Sequence, residues 1–158
     1  HEFEVPVTIV RFFGGYGPNQ HLSWWGGPQP VFIQQALKRE TLTIHGEGSQ
    51  TRSFIYISDL VEGTIAAMEN DQAIGQVFNI GNLEEISILE MAKMIWKILH
   101  DDDPQIEFIP YERFSRNYED VKRRVPDMGH TESVLGFKAK VSLMEGLRRT
   151  IEWQRKFL

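Results

Sequence analysis

Apolar residues recur along this chain in two rhythms. Short runs rich in β-branched and aromatic residues cover 7–13, 42–45, 53–57, 76–80 and 106–109, and each predicts a strand. Longer stretches carry apolar residues three and four apart, the spacing of one helix face. Residues 31–38 predict a short helix, and Ser58 is placed to cap a second running to about residue 70. Ser87-Ile88-Leu89-Glu90 is a capping box. The helix it opens, to about residue 100, gathers Leu89, Ala92, Ile95, Trp96 and Leu99 on one side. Asp127 is placed to cap a short helix that Gly136 stops, and Ser142-Leu143-Met144-Glu145 opens the last one. Residues 14–30 are rich in glycine and proline and predict a loop, and 111–122 are polar and irregular. Strands alternating with helices indicate an α/β fold.

Composition adds bounds. With 158 residues the chain can bury one real core, and residues 1–158 read as a single unit without repeat or linker. A formal net charge of -5 argues against general nucleic-acid binding, which needs a basic face. It leaves room for an anionic ligand held by a few placed arginines. The absence of cysteine excludes disulfides, thiolate metal sites and a cysteine nucleophile, and fits a cytoplasmic protein. No apolar run approaches the roughly 20 residues that span a bilayer, so no membrane partner is expected. His21, His100 and His130 lack metal-ligand spacing, so no metal site is expected.

Four stretches, in order, carry a resemblance. They are Arg11-Phe12-Phe13-Gly14-Gly15-Tyr16-Gly17-Pro18; the run from Leu42 through His45, Gly46, Gly48 and Arg52 to Asp59; Val77-Phe78-Asn79-Ile80-Gly81; and Arg124-Val125-Pro126-Asp127, followed by Leu135-Gly136-Phe137 and Glu145-Gly146-Leu147. Together the sequence resembles the carboxy-terminal, substrate-binding part of the NAD-dependent epimerase/dehydratase family, the extended short-chain dehydrogenases that modify nucleotide sugars. The resemblance implies a partial unit whose strands would join a Rossmann-type parallel sheet. It also implies that the family's G-x-x-G-x-x-G loop and Tyr-x-x-x-Lys pair belong upstream of Val7. No catalytic residue is therefore expected here, and NAD would be bound mainly by that other half.

Two look-alikes are set aside. Gly14-Gly15-Tyr16-Gly17 follows a strand, but Pro18 interrupts it and no helix pattern follows, so it is not a dinucleotide loop. Tyr118-Glu119-Asp120-Val121-Lys122 spells Tyr-x-x-x-Lys in a polar stretch without helical period, and reads as a solvated loop.

Candidate site residues follow from phosphate chemistry and from the resemblance. An arginine fork suits phosphate oxygens. Arg52 lies between a glycine turn and a strand, and the matching family arginine contacts the substrate phosphates. Arg124 is implied as a second clamp, with Arg123 the substitute if the register slips by one. Asp127 is implied near the ribose hydroxyls, a role compatible with capping a helix. Thr43 and His45 match positions lining the nucleobase site, and Val31 is a further wall candidate. Asn79 ends a strand, where ligands of open α/β sheets tend to sit. Gly14 and Tyr16 belong to the implied active-site loop, although the family usually has Asn where this chain has Gly14. Trp24 and Trp25 either cover the sugar or pack under their loop or against a partner.

The expected function is binding the nucleotide diphosphate of a sugar-nucleotide substrate, as the carboxy-terminal part of an NAD-dependent epimerase, dehydratase or decarboxylase, with no turnover by this part alone. The alternative is a stand-alone module that binds nucleotide sugars or another protein without catalysis. Strands built for a larger sheet would leave open edges and apolar faces, so a homo-oligomer is expected.

Overall fold

The computed structural model describes residues 5–113 and 120–157. Its order is β1 (Ile9–Phe12), β2 (Gly15–Tyr16), α1 (Pro28–Leu37), β3 (Leu42–His45), β4 (Thr51–Ser53), β5 (Ile55–Tyr56), α2 (Ile57–Glu69), β6 (Val77–Ile80), β7 (Glu85–Ser87), α3 (Ile88–Leu99), β8 (Ile106–Ile109), β9 (Arg123–Arg124), α4 (Gly129–Leu135) and α5 (Leu143–Gln154). The α/β class expected from the alternating pattern is what forms.

The described strands pair as small ladders. β1 runs parallel to β6, β2 to β5 and β3 to β8. β4 is the centre of a three-stranded sheet, antiparallel to β7 on one side and parallel to β9 on the other. The larger core gathers Phe32, Ile33 and Ala36 of α1, Leu42 and Ile44 of β3, Met91, Ile95 and Trp96 of α3, and Leu147 and Ile151 of α5. A second core forms under β6, where Ile55, Phe78, Ile80, Met128 and Phe137 meet.

Several ends are set by local chemistry. At α3 both arms of the expected capping box are present: Ser87 Oγ accepts from Glu90 N, and the Glu90 carboxylate accepts from Ser87 N. At α5 only one arm forms, because Glu145 turns instead to Arg149. α1 begins three residues earlier than the pattern indicated, since Pro28 fits the first turn, where its missing N–H costs nothing. Ser58 does not cap α2. The helix starts at Ile57 behind Tyr56, without a side-chain cap. The predicted strand 53–57 is divided, with Phe54 separating β4 from β5. Asp127 accepts from Gly129 N at 2.8 Å, so it satisfies the first amide of α4 although Met128 is the residue flanking that helix. Gly136, at φ 64°, closes it in the left-handed conformation.

β1 has one partner strand among the described residues. Ile9 and Phe12 on it are 52% and 53% exposed. α2 adds an outward apolar row of Ile57, Val61, Ile65 and Met68. The open edge of β1 is what the sequence led us to expect, whereas Phe78 and Ile80 of β6 are buried and the α2 row was not foreseen. No helix of the described residues is long and apolar enough to cross a membrane.

Candidate functional site

The site grows from the β4 sheet. In the parallel ladder of β4 and β9, Thr51 lies opposite Arg123 and Arg52 opposite Arg124. Side chains of directly paired residues leave a sheet on the same face, and successive residues alternate faces. The register therefore sends Arg52 and Arg124 to one side, and Thr51 and Arg123 to the other. On that reverse face the Glu85 carboxylate accepts from Arg123 at 2.8 Å and from Thr51 Oγ1 at 2.6 Å. These bonds hold the Glu85 carboxyl below its ordinary pKa and raise that of the Arg123 guanidinium. Arg123 is thus occupied elsewhere, and Arg124 is the arginine that faces the site.

Arg52 and Arg124 line one cleft of about 680 Å³. His45 at the end of β3, Gly27 and Pro28 at the start of α1, Phe54 after β4, and Ile88 at the start of α3 form its walls. Trp24 stacks on His45 with ring centres 4.1 Å apart, and meets Phe32 edge-on at 5.9 Å. Trp25, 93% exposed, stands at the rim of the same cleft. Burial lowers the His45 pKa, which favours the neutral ring for this stack.

The two arginines differ in state. The Arg52 side chain is 8% exposed and held by three hydrogen bonds within the fold. Its Nη1 donates to the carbonyls of Thr51 and Val121 at 2.8 and 2.6 Å, and its Nη2 donates to Asp120 Oδ1 at 2.9 Å. Asp120 is held in turn by the Tyr111 hydroxyl at Oδ2 (3.1 Å) and by Val121 N at Oδ1 (2.9 Å). Gln50 Nε2 donates to both Tyr111 Oη and the His45 carbonyl. Arg124 is exposed, and no ion pair to it is found among the described residues.

The remaining expected residues fall elsewhere. Thr43 is clamped by Gln35, which donates to its hydroxyl and accepts from its amide, and it does not line the cleft. Val31, half-buried on α1, does not line it either. Asn79 and Asp127 meet each other: Asn79 Nδ2 donates to the Asp127 carbonyl at 2.8 Å, and the Asn79 carbonyl accepts from Thr131. Both lie outside the cleft lining, because β6 belongs to the β1 ladder rather than to the β4 sheet.

Gly14 and Tyr16 are packed into the scaffold and do not line this cleft. Tyr16 is 2% exposed and donates to the Leu143 carbonyl from inside the core. Gly14, at φ 58°, lies so close to β4 that a Cβ there would come within 2.3 Å of the Ser53 carbonyl oxygen. The chain after β1 turns into β2 rather than into a helix. This stretch therefore does not build the strand–glycine loop–helix cradle that a dinucleotide needs.

Sequence reasoning missed Gln50, Tyr111 and Asp120. Gln50 stood inside the glycine-turn stretch, whereas Tyr111 and Asp120 sat in a segment without periodic signal. Tyr118 of the Tyr-x-x-x-Lys look-alike lies outside the described residues. No group of three or more acidic or histidine side chains suited to a metal ion occurs among the described residues.

Two arginines and an aromatic wall thus line one cleft of this α/β unit. Residues 1–150 match the family model described as GDP-mannose 4,6 dehydratase, and the chain belongs to this NAD-dependent epimerase/dehydratase family. It is 39% identical to a UDP-N-acetyl-α-D-glucosaminuronate decarboxylase of Bacillus cytotoxicus, over 96% of this chain and 47% of that protein. It is 40% identical to UDP-glucuronic acid decarboxylase 1 of Arabidopsis thaliana, over 93% of this chain and 32% of that one. Among solved structures, UDP-glucuronic acid 4-epimerase of Bacillus cereus, in complex with UDP-glucuronic acid and NAD, superposes with a TM-score of 0.87 at 32% identity. That match covers 99% of this chain and 47% of the epimerase. The chain thus spans half or less of the length of these relatives.

Proposed function

We propose that the cleft binds the nucleoside-diphosphate part of a nucleotide sugar. The chain then serves as the carboxy-terminal, substrate-holding part of an NAD-dependent nucleotide-sugar epimerase, dehydratase or decarboxylase. The observation that carries this reading is the β4–β9 register, which pairs Arg52 with Arg124 on the side that opens into the cleft. A diphosphate needs fixed positive charge with several donors, and two guanidinium groups from adjacent strands supply it without ordering a loop.

The chain's own contribution is affinity and orientation. Arg124, which has no ion-pair partner among the described residues, supplies positive charge. Arg52 ties β4 to the 120–124 segment and so fixes where that charge stands. Trp24, stacked on His45, offers an aromatic surface for a ring of the ligand. The relatives at 39–41% identity are named for decarboxylation of UDP-linked uronic acids. That likeness makes UDP-glucuronic acid the first ligand to test.

Titration calorimetry of UDP-glucuronic acid, UDP and uridine into the chain tests the reading. The phosphate-bearing ligands are expected to bind and uridine to bind much more weakly. Arg124→Ala is expected to weaken UDP binding by about tenfold or more, the scale of a charged hydrogen bond. Equal affinities of wild type and Arg124→Ala for UDP, with the fold intact, refute the proposed phosphate role.

A further inference from the structure

In the ligand-free fold one of the two cleft arginines is already neutralised by a side chain of this chain. Asp120 pairs with Arg52 at 2.9 Å, and it lines the same cleft as Arg52 and Arg124. The pairing is not a loose surface contact. Both carboxylate oxygens are oriented by other donors, the Tyr111 hydroxyl and the Val121 amide. The rest of the Arg52 hydrogen bonding goes to backbone carbonyls, so Asp120 is the one anion on this guanidinium among the described residues. A carboxylate and a phosphate oxygen ask the same thing of a guanidinium fork.

We propose that Asp120 is a built-in competitor for the anion site: its carboxylate holds the position on Arg52 that a diphosphate oxygen would otherwise take. It thereby sets how tightly the cleft binds phosphate. The inference rests on the reading of the cleft given under Proposed function. With Asp120 charged, the three side chains Arg52, Arg124 and Asp120 offer an incoming diphosphate a net charge of +1. With Asp120 replaced by an uncharged residue they offer +2, and the mutual repulsion between carboxylate and phosphate disappears. Tyr111 and Gln50 are the side chains that keep the competitor aimed at Arg52.

The test is calorimetry of UDP and of uridine with the wild-type chain, Asp120→Asn and Asp120→Ser. Asparagine keeps an acceptor for Arg52 and for the Val121 amide while removing the charge. Serine keeps a smaller oxygen if the amide disturbs the turn. Each variant's melting transition is checked first. The expected result is UDP binding tightened by about tenfold, with uridine binding unchanged. UDP affinity that stays equal or falls in folded variants overturns the proposal. Loss of fold in both variants also overturns it, since Asp120 is then a structural ion-pair partner only. Wild type that binds UDP no better than uridine removes the phosphate reading itself. Wild type that prefers UDP, with variants that fail to tighten, removes the competitor role alone.

Discussion

Arg52→Ala is expected to cost this chain stability before it costs it ligand. The guanidinium donates to two backbone carbonyls and one carboxylate, linking β4 to the segment just before β9 across 69 residues of sequence. A hydrogen bond from a charged group contributes about 1.5–3 kcal/mol. The three do not add, because the Asp120 side chain is 22% exposed and Val121 is at the surface, so water partly replaces what is lost. The net loss is put at about 3 kcal/mol, near the lower end for breaking a buried ion pair. For a domain of this size that lowers the melting temperature by about 6–12 °C. Calorimetric or circular-dichroism melts read it directly. Arg52→Lys should recover less than half, since an ammonium on a flexible stem cannot fork to three fixed acceptors. A melting point of Arg52→Ala within about 3 °C of wild type would mean that the guanidinium does not anchor the 120–124 segment.

Other substitutions probe the scaffold. Gly14→Asn restores the residue usual in the resembled family, yet it is expected to destabilise by about 1–3 kcal/mol. Asparagine tolerates the positive φ, but its Cβ would meet the Ser53 carbonyl at 2.3 Å, so β4 must shift; an unchanged urea midpoint refutes this. Burial raises the Tyr16 pKa well above the ordinary value of about 10. The neutral form is thus favoured by the fold. Its contribution is complete below about pH 10 and is lost as pH rises beyond, where the unfolded state ionises first. Denaturation free energies measured from pH 8 to 11 should fall more steeply for wild type than for Tyr16→Phe, and parallel curves would contradict the assignment.

The cleft was partly legible in the chain. Arg52, Arg124 and His45 were singled out and are brought together. The ladder separates two neighbouring arginines that the chain left interchangeable. Arg124 rather than Arg123 faces the site, because one step along a strand reverses the face and Glu85 waits on the other side. Trp24 lines the cleft because His45 and Phe32 give its ring two surfaces to pack on. Gly14 and Tyr16 were expected at the active-site loop; Tyr16 is buried in the core, and neither lines this cleft. The motif marks a family, whereas the buried Tyr16 hydroxyl is committed to a carbonyl of α5's first residue. Asn79 and Asp127 were expected beside the nucleoside and bind each other outside the cleft lining, since β6 is held in a different ladder.

What the chain determined alone is what short-range physics controls. The Ser87–Glu90 cap, the stop at Gly136, and strands Leu42–His45 and Ile106–Ile109 follow from neighbours within a few residues and from apolar period. Tertiary structure decided which charges of the cleft are paired. Whether Arg52 is a free clamp or a paired one depends on a carboxylate 68 positions away. No local pattern encodes that distance: the ion pair exists only because β9 lies beside β4, and that adjacency is fixed by how whole elements bury their apolar faces.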